Sequence, residues 1–196
     1  MTNEEVIKLA KLNNGTITSA EISKAGVSRG HLDYAIKNGS LERSSRGVYI
    51  LPENFDDEMY GLQVKYKKGI FSCETALFLH GLTDRTPNRY CMSFPNSYNT
   101  SSPSNENVLC HRVAMSFYEI GIVQILTSFQ NAVNVYCPEK TLCDILRTQY
   151  HVDIQLITEA FKAYVNGNNV NIPLLSEYAE KLKVSDKVRS YLEVLL

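Results

Sequence analysis

The chain has 196 residues, a formal net charge of −1 and 44% hydrophobic residues, enough to bury one large core or two small ones without disulfide staples. A near-neutral balance excludes a uniformly basic nucleic-acid binder, so charge directed at DNA has to be local to one face or one domain. The five cysteines are odd in number and show no Cys-x-x-Cys spacing; together with the polar start Met1-Thr2-Asn3-Glu4-Glu5 and the absence of a bilayer-length apolar run, they read as the reduced thiols of a cytoplasmic protein without membrane contact.

Thr2-x-x-Glu5 has the form of a capping box, and Val6, Leu9 and Ala10 recur at helical spacing, which predicts a first helix to about Asn13. Asn14-Gly15 stops it. Thr18-x-x-Glu21 is a second capping box and opens a short helix through Ala25, with Ile22 facing inward and Gly26 as its C-cap. Ser28 caps a third helix that runs to about Asn38. In that helix Leu32, Ala35 and Ile36 form one apolar stripe, while Arg29, Gly30, His31, Asp33, Tyr34 and Lys37 face out. Residues of these types suit hydrogen bonding to base edges and phosphates. Gly30 costs about 1 kcal/mol against alanine in a helix; it either permits close approach to a groove or is an accident. The segments Leu41–Arg43 and Val48–Leu51 flank the polar turn Ser44-Ser45-Arg46-Gly47, the signature of a hairpin. A hairpin directly after a reader helix is a wing, and Arg43 and Arg46 place positive charge where a DNA backbone would pass.

Beyond Pro52, acidic residues 56–58 open a helix to about Lys68, with Lys65 and Lys68 on one side, as a solvated face or a phosphate-contacting one. Ser72 caps a helix from Cys73 to His80. Tyr90–Phe94, Val108–Val113, Ile122–Leu126 and Ala132–Tyr136 read as strands of a small mixed or antiparallel sheet, and the Ser-, Asn- and Pro-rich stretch 96–107 as a flexible loop. Pro138 is suited to the first position of a helix reaching about Arg147. Three more helices are predicted at Asp153–Val165, Pro173–Leu182 and Ser185–Leu195, the last two with a basic bias from Lys181, Lys183, Lys187 and Arg189. The fold class is therefore α+β: a winged helix-turn-helix over residues 1–55, then a mixed α/β domain over 56–196 with a small sheet and several helices.

No phosphate-binding glycine loop and no Gly-x-Ser-x-Gly elbow is present. Cys110-His111, or Cys73 with His80, matches no metal-site spacing. Glu139 and Lys140 are neighbours at a helix start, unlike the Glu-x-Lys strand of metal-dependent nucleases, so Glu139 reads as compensating the helix dipole and Asp144 as making an intrahelical or tertiary contact. No catalytic residue, metal or cofactor is expected, and the chain reads as a regulator rather than an enzyme.

Three stretches carry a family resemblance. They are Gly-Val-Ser-Arg-Gly-His-Leu at 26–32 with the wing that follows, Ser-Cys-Glu-Thr-Ala-Leu-Phe-Leu-His-Gly-Leu at 72–82, and Cys-Pro-Glu-Lys-Thr-Leu-Cys-Asp at 137–144. Together they resemble the AbiEi antitoxins of the AbiE abortive-infection systems. The resemblance implies an amino-terminal winged helix that represses its own operon by binding inverted repeats in double-stranded operator DNA. It also implies a carboxy-terminal antitoxin domain of a type IV toxin–antitoxin pair, whose partner is a nucleotidyltransferase-like toxin without stable direct contact, and thereby a role in phage resistance. Carried over residue by residue, it assigns DNA contact to Ser28, Arg29, His31, Tyr34 and Lys37 in the reader helix and to Arg43, Ser45 and Arg46 in the wing. A monomer or weak dimer pairing on DNA fits this picture. The competing reading is a protein-interaction module that neutralises a partner enzyme by direct binding, with the winged helix as scaffold.

Overall fold

The computed structural model describes residues 3–195; the capping box expected at Thr2-x-x-Glu5 falls partly outside them. The described residues form two compact units, one of residues 3–67 with 126–133 and one of residues 68–125 with 134–195.

The first unit begins with α1 (Asn3–Leu12), β1 (Thr16–Thr18), α2 (Ser19–Lys24) and α3 (Arg29–Lys37), followed by β2 (Glu42–Ser45) and β3 (Val48–Ile50). The box at Thr18 is fully formed: the Glu21 N–H donates to Thr18 Oγ1 at 3.2 Å, and the Thr18 N–H donates to Glu21 Oε2 at 2.8 Å. Both donors would otherwise be orphans of the helix start. Gly26, at φ +73°, lets the chain reverse between α2 and α3. Leu32 and Ala35 of α3 are buried with Val6 and Ala10 of α1, Ile22 of α2, and Ile17, Leu41, Tyr49 and Leu51 around the sheet. Three helices followed by a hairpin on one core make this a winged helix-turn-helix.

Two features of this unit were not predicted. Thr16–Thr18 forms a strand antiparallel to β3, with Thr16 opposite Ile50 and Thr18 opposite Val48, so the sheet has three strands in the order β1-β3-β2. All three β1 residues are buried, and a strand of that length with no exposed position shows no period of two. The unit also takes in α4 (Glu58–Lys65) and the turn at 126–133. Asp57, 5% exposed, caps α4 by accepting the Tyr60 N–H at 3.0 Å. Its second oxygen accepts the Thr127 hydroxyl at 2.5 Å and the Asn131 side-chain amide at 2.9 Å. The expected continuation of α4 to Lys68 is corrected: the helix ends at Lys65, and Tyr66 leaves helical geometry at φ −111°, ψ 67°. Lys65 and Lys68 therefore share no helical face.

A five-stranded mixed sheet in the order β6-β5-β4-β8-β7 belongs to the second unit except for Leu126, Ala132 and Val133, which belong to the first. Its strands are β4 (Ile70–Phe71), β5 (Tyr90–Pro95), β6 (Val108–Val113), β7 (Ile122–Leu126) and β8 (Ala132–Tyr136). β4 is central, antiparallel to β5 and parallel to β8, while β5 and β6 run parallel. The helices are α5 (Cys73–Leu79), α6 (Ser101–Ser104), α7 (Met115–Tyr118), α8 (Pro138–Ile145), α9 (Ile154–Val165), α10 (Ile172–Lys181) and α11 (Ser185–Leu195). The apolar faces of α5 and α8–α11 share one core that includes Leu77, Leu142, Phe161, Leu175 and Val188. The stretch expected as a loop contains α6. Ser72 stands at the N-cap of α5 without a side-chain cap bond; its hydroxyl accepts from Ser93 Oγ at 3.0 Å instead.

Helix α8 turns charged residues inward. Lys140 and Asp144, 0% and 1% exposed, form an ion pair one turn apart, and Lys140 Nζ also lies 4.4 Å from the centre of the Tyr136 ring. Arg147 Nη1 reaches the second Asp144 oxygen at 3.5 Å. Asp144 thus makes the intrahelical contact expected of it. Glu139 is buried and accepts the Tyr164 hydroxyl at 2.9 Å. All five cysteines are free, four of them buried.

Candidate nucleic-acid interface

Helix α3 presents a polar face whose inner side is fixed by burial of Leu32 and Ala35. Arg29, Gly30, Asp33, Tyr34 and Lys37 are exposed, and His31 is half-buried. Arg29, Asp33 and Lys37 fall at i, i+4 and i+8, one row along the helix, with Gly30 and Tyr34 in the adjacent row. Tyr34 is 59% exposed, far more than an aromatic ring that belongs to a core.

Ser28 occupies the N-cap with extended geometry but makes no side-chain bond to the helix backbone. Its Oγ lies 2.6 Å from His31 Nδ1. This corrects the expected cap: with Nδ1 engaged by Ser28, the His31 ring is held in one orientation. Gly30 has no positive φ, and a Cβ built there would meet only Ser28 Oγ, at 3.9 Å. Neither backbone conformation nor packing within the chain requires a glycine at this position.

In the wing, Arg43 and Arg46 are exposed. The register slips between Arg43 and Ser45, so the strand bends before its tip. Gly47, at φ +83°, makes the turn, and its carbonyl accepts the Ser19 N–H at 2.9 Å, which ties the wing to the start of α2. Ser44 donates to Asp56. Ser45 is placed differently from expectation. Its Oγ is buried without a hydrogen-bond partner and would sit 3.0 Å from a Cβ at Gly61 of α4. The register slip turns this side chain toward α4, and its hydroxyl is not part of the outward face.

The structure therefore brings Ser28, Arg29, His31, Tyr34 and Lys37 onto one element and leaves Arg43 and Arg46 outward on the next hairpin. Four cations, Arg29, Lys37, Arg43 and Arg46, stand against the carboxylates Asp33 and Glu42 on these elements, a local surplus within a chain of net charge −1. Among the described residues no group of three or more His, Cys, Asp or Glu is placed to hold a metal ion, and no helix is long and apolar enough to cross a membrane.

Residues 4–52 match the family described as transcriptional regulator, AbiEi antitoxin. The match covers α1 through β3, the three helices and the hairpin of the winged helix-turn-helix. The whole fold has a counterpart in the crystal structure of the RV2827C protein from Mycobacterium tuberculosis. The likeness has a TM-score of 0.50 at 12% sequence identity and covers 96% of this chain and 79% of that one. At that identity it is a likeness of fold alone. No curated protein matches the chain.

Proposed function

We propose that the chain is an antitoxin and transcriptional regulator of the AbiEi type, which binds inverted repeats in the promoter of its own toxin–antitoxin operon and represses it. One observation carries the reading: an exposed, locally cationic helix-and-wing face lies in the segment that matches a regulator family. Arg29, His31, Tyr34 and Lys37 enter the major groove, while Ser28 orients His31. Arg43 and Arg46 contact the phosphate backbone. The antitoxin activity belongs to residues 56–196, and the toxin it opposes is a nucleotidyltransferase-like enzyme with which it forms no stable complex.

The test is a titration of the full-length chain against the DNA upstream of its gene at several salt concentrations. Arg29→Ala or Lys37→Ala costs about 1–3 kcal/mol and relaxes sequence preference where the side chain reads a base. Arg46→Ala weakens binding on every sequence and lowers the salt slope by about one. Absence of binding at low salt overturns the DNA-reading part, and a stable complex that co-purifies with the toxin overturns the indirect mode of neutralisation.

A further inference from the structure

In the second unit a trough runs along α11 where it packs beside α9. One part is a cavity of about 410 Å³ with Leu146, Val152 and Ile157 among its apolar walls and Arg147, His151 and Lys187 as its cationic ones. The other, of about 290 Å³, is lined by Thr158, Lys162, Val194 and Leu195. Ser190 and Tyr191 line both, so the two parts are continuous. Lys187, Ser190, Tyr191 and Val194 recur at i, i+3, i+4 and i+7, one face of α11, and from Lys187 to Leu195 that face is about 12 Å long. The Tyr191 ring is stacked on Phe161, with centroids 4.6 Å apart, which fixes its position in the wall. Ile154 (70% exposed) lines the first part and Val194 (82%) the second, so the trough has apolar side chains in solvent at its rim.

Charge and hydrogen bonding narrow what can lie there. Among the described residues no Asp or Glu lines either part, in a chain with 21 acidic and 20 basic residues. Asp153 and Glu159, at the start and on the outside of α9, bind Arg85 at 3.7 and 2.6 Å. Lys187 Nζ donates to the Leu146 carbonyl at 2.7 Å, which holds the ammonium at the end of α8 next to Arg147. Arg147 meets Asp144 and Gln149 at 3.5 Å each, long bonds that leave its planar fork able to take a carboxylate. In the middle of the trough, the Thr158 hydroxyl donates to the Ile154 carbonyl at 2.8 Å and the Ser190 hydroxyl to the Asp186 carbonyl at 2.9 Å. Those hydroxyl protons are spent on their own helices. A sugar, a nucleobase or a peptide backbone would bury polar groups against them without partners, whereas an aliphatic chain has none to satisfy.

We propose that this trough is a binding site for an aliphatic carboxylate, a fatty acid of medium chain length. Its carboxylate sits among Arg147, His151 and Lys187, and its chain lies along Ile157, Tyr191, Val194 and Leu195. The site belongs to the second unit and does not rest on the proposed reading of DNA. With about twelve non-hydrogen atoms, decanoate is expected to bind with Kd of ~0.1–1 mM.

Equilibrium dialysis of the full-length chain against labelled decanoate, below its micelle concentration, tests the site. One saturable site per chain is expected. Decanol, of the same length but uncharged, binds ~5- to 10-fold more weakly. Lys187→Gln weakens decanoate by a similar factor and leaves decanol unchanged, because its amide still reaches the Leu146 carbonyl but carries no charge. Ser190→Phe fills the trough and removes both ligands; Val194→Asp, at an exposed position, sets a carboxylate against the chain and weakens decanoate at least ~5-fold. Circular dichroism and urea midpoints of each variant show that the fold is kept. No saturable binding at ~10-fold above the expected Kd overturns the proposal. So does decanoate affinity that survives both Ser190→Phe and Val194→Asp, or that is insensitive to Lys187→Gln. Displacement of decanoate by adenosine monophosphate or inorganic phosphate at equal concentration overturns the choice of an aliphatic ligand.

Discussion

Replacing Gly30 by alanine separates what the fold wants from what the reader face wants. The position is helical with no positive φ, and the added methyl would find its nearest atom at 3.9 Å. Alanine removes unfolded-chain entropy and exposes less backbone, which in the first turn of a helix is worth about 0.5–1 kcal/mol. For a chain of this length that raises Tm by about 1–4 °C. If the missing Cβ is instead the room that a DNA groove occupies, the same methyl displaces the helix from its base contacts. A loss of about 1–3 kcal/mol then corresponds to roughly 5- to 150-fold in Kd. Thermal unfolding and fluorescence anisotropy on the upstream DNA, both at one fixed salt concentration, read the two effects on one preparation. The expected result is a more stable protein that binds more weakly. A Gly30→Ala protein that is stabilised and binds DNA as well as the wild type refutes the argument, because the glycine then serves neither partner.

Three other substitutions probe separate parts of the chain. Ser45→Ala removes a buried hydroxyl that has no hydrogen-bond partner; stability in urea rises by up to about 1 kcal/mol and DNA affinity is unchanged, whereas a loss of affinity would return Ser45 to the interface. Lys140→Met leaves the Asp144 carboxylate buried with Arg147 as its remaining ion-pair partner and costs about 3–5 kcal/mol in urea unfolding, while Lys140→Met/Asp144→Leu costs less than the single change; a double-mutant loss equal to the sum of the Lys140→Met and Asp144→Leu losses would show that the pair is not coupled. Burial lowers the pKa of His80, against the opposing pull of its bond to the Tyr136 carbonyl and of Glu139, and its Nε2–H donates to that carbonyl at 2.7 Å. Burial lowers His111 as well. The folded state thus holds these rings neutral where the unfolded chain takes up protons. Their contribution is complete above the ordinary histidine range near 6.5 and is lost as pH falls through that value toward the folded one. His80→Gln keeps a donor for Tyr136 and makes urea midpoints less sensitive to pH between about 7.5 and 5.5; identical slopes in both proteins would contradict the assignment.

Legibility of the fold tracked the length of the signal. α3 and α9–α11 have enough turns for an apolar stripe to repeat, and the Thr18 box names its own partner three residues on. β1 and β4, with three and two residues, have no period to show, although each completes a sheet. The reader face was readable because its inward stripe, Leu32, Ala35 and Ile36, defines the outward residues by subtraction. Ser45 was misplaced because a register slip changes which side of a strand faces out, and nothing local in Ser44-Ser45-Arg46-Gly47 marks it. The Ser28–His31 contact competes with a capping bond that the same residues could have made. Asp57 looked like one acidic residue among three at a helix start; its bonds to Thr127 and Asn131 connect positions that no sequence window joins.

Those bonds bear on how the protein is made. A ribosome releases the helices and the wing within the first fifty or so residues, yet the carboxylate that caps α4 keeps an empty side until Thr127 and Asn131 have been synthesised about seventy residues later. Nascent domains tend to fold in the order in which they emerge. By that order the amino-terminal unit can assemble early but closes its Asp57 bonds only once strands β4 to β7 have been synthesised, so its finished form needs a chain that reaches at least to Asn131.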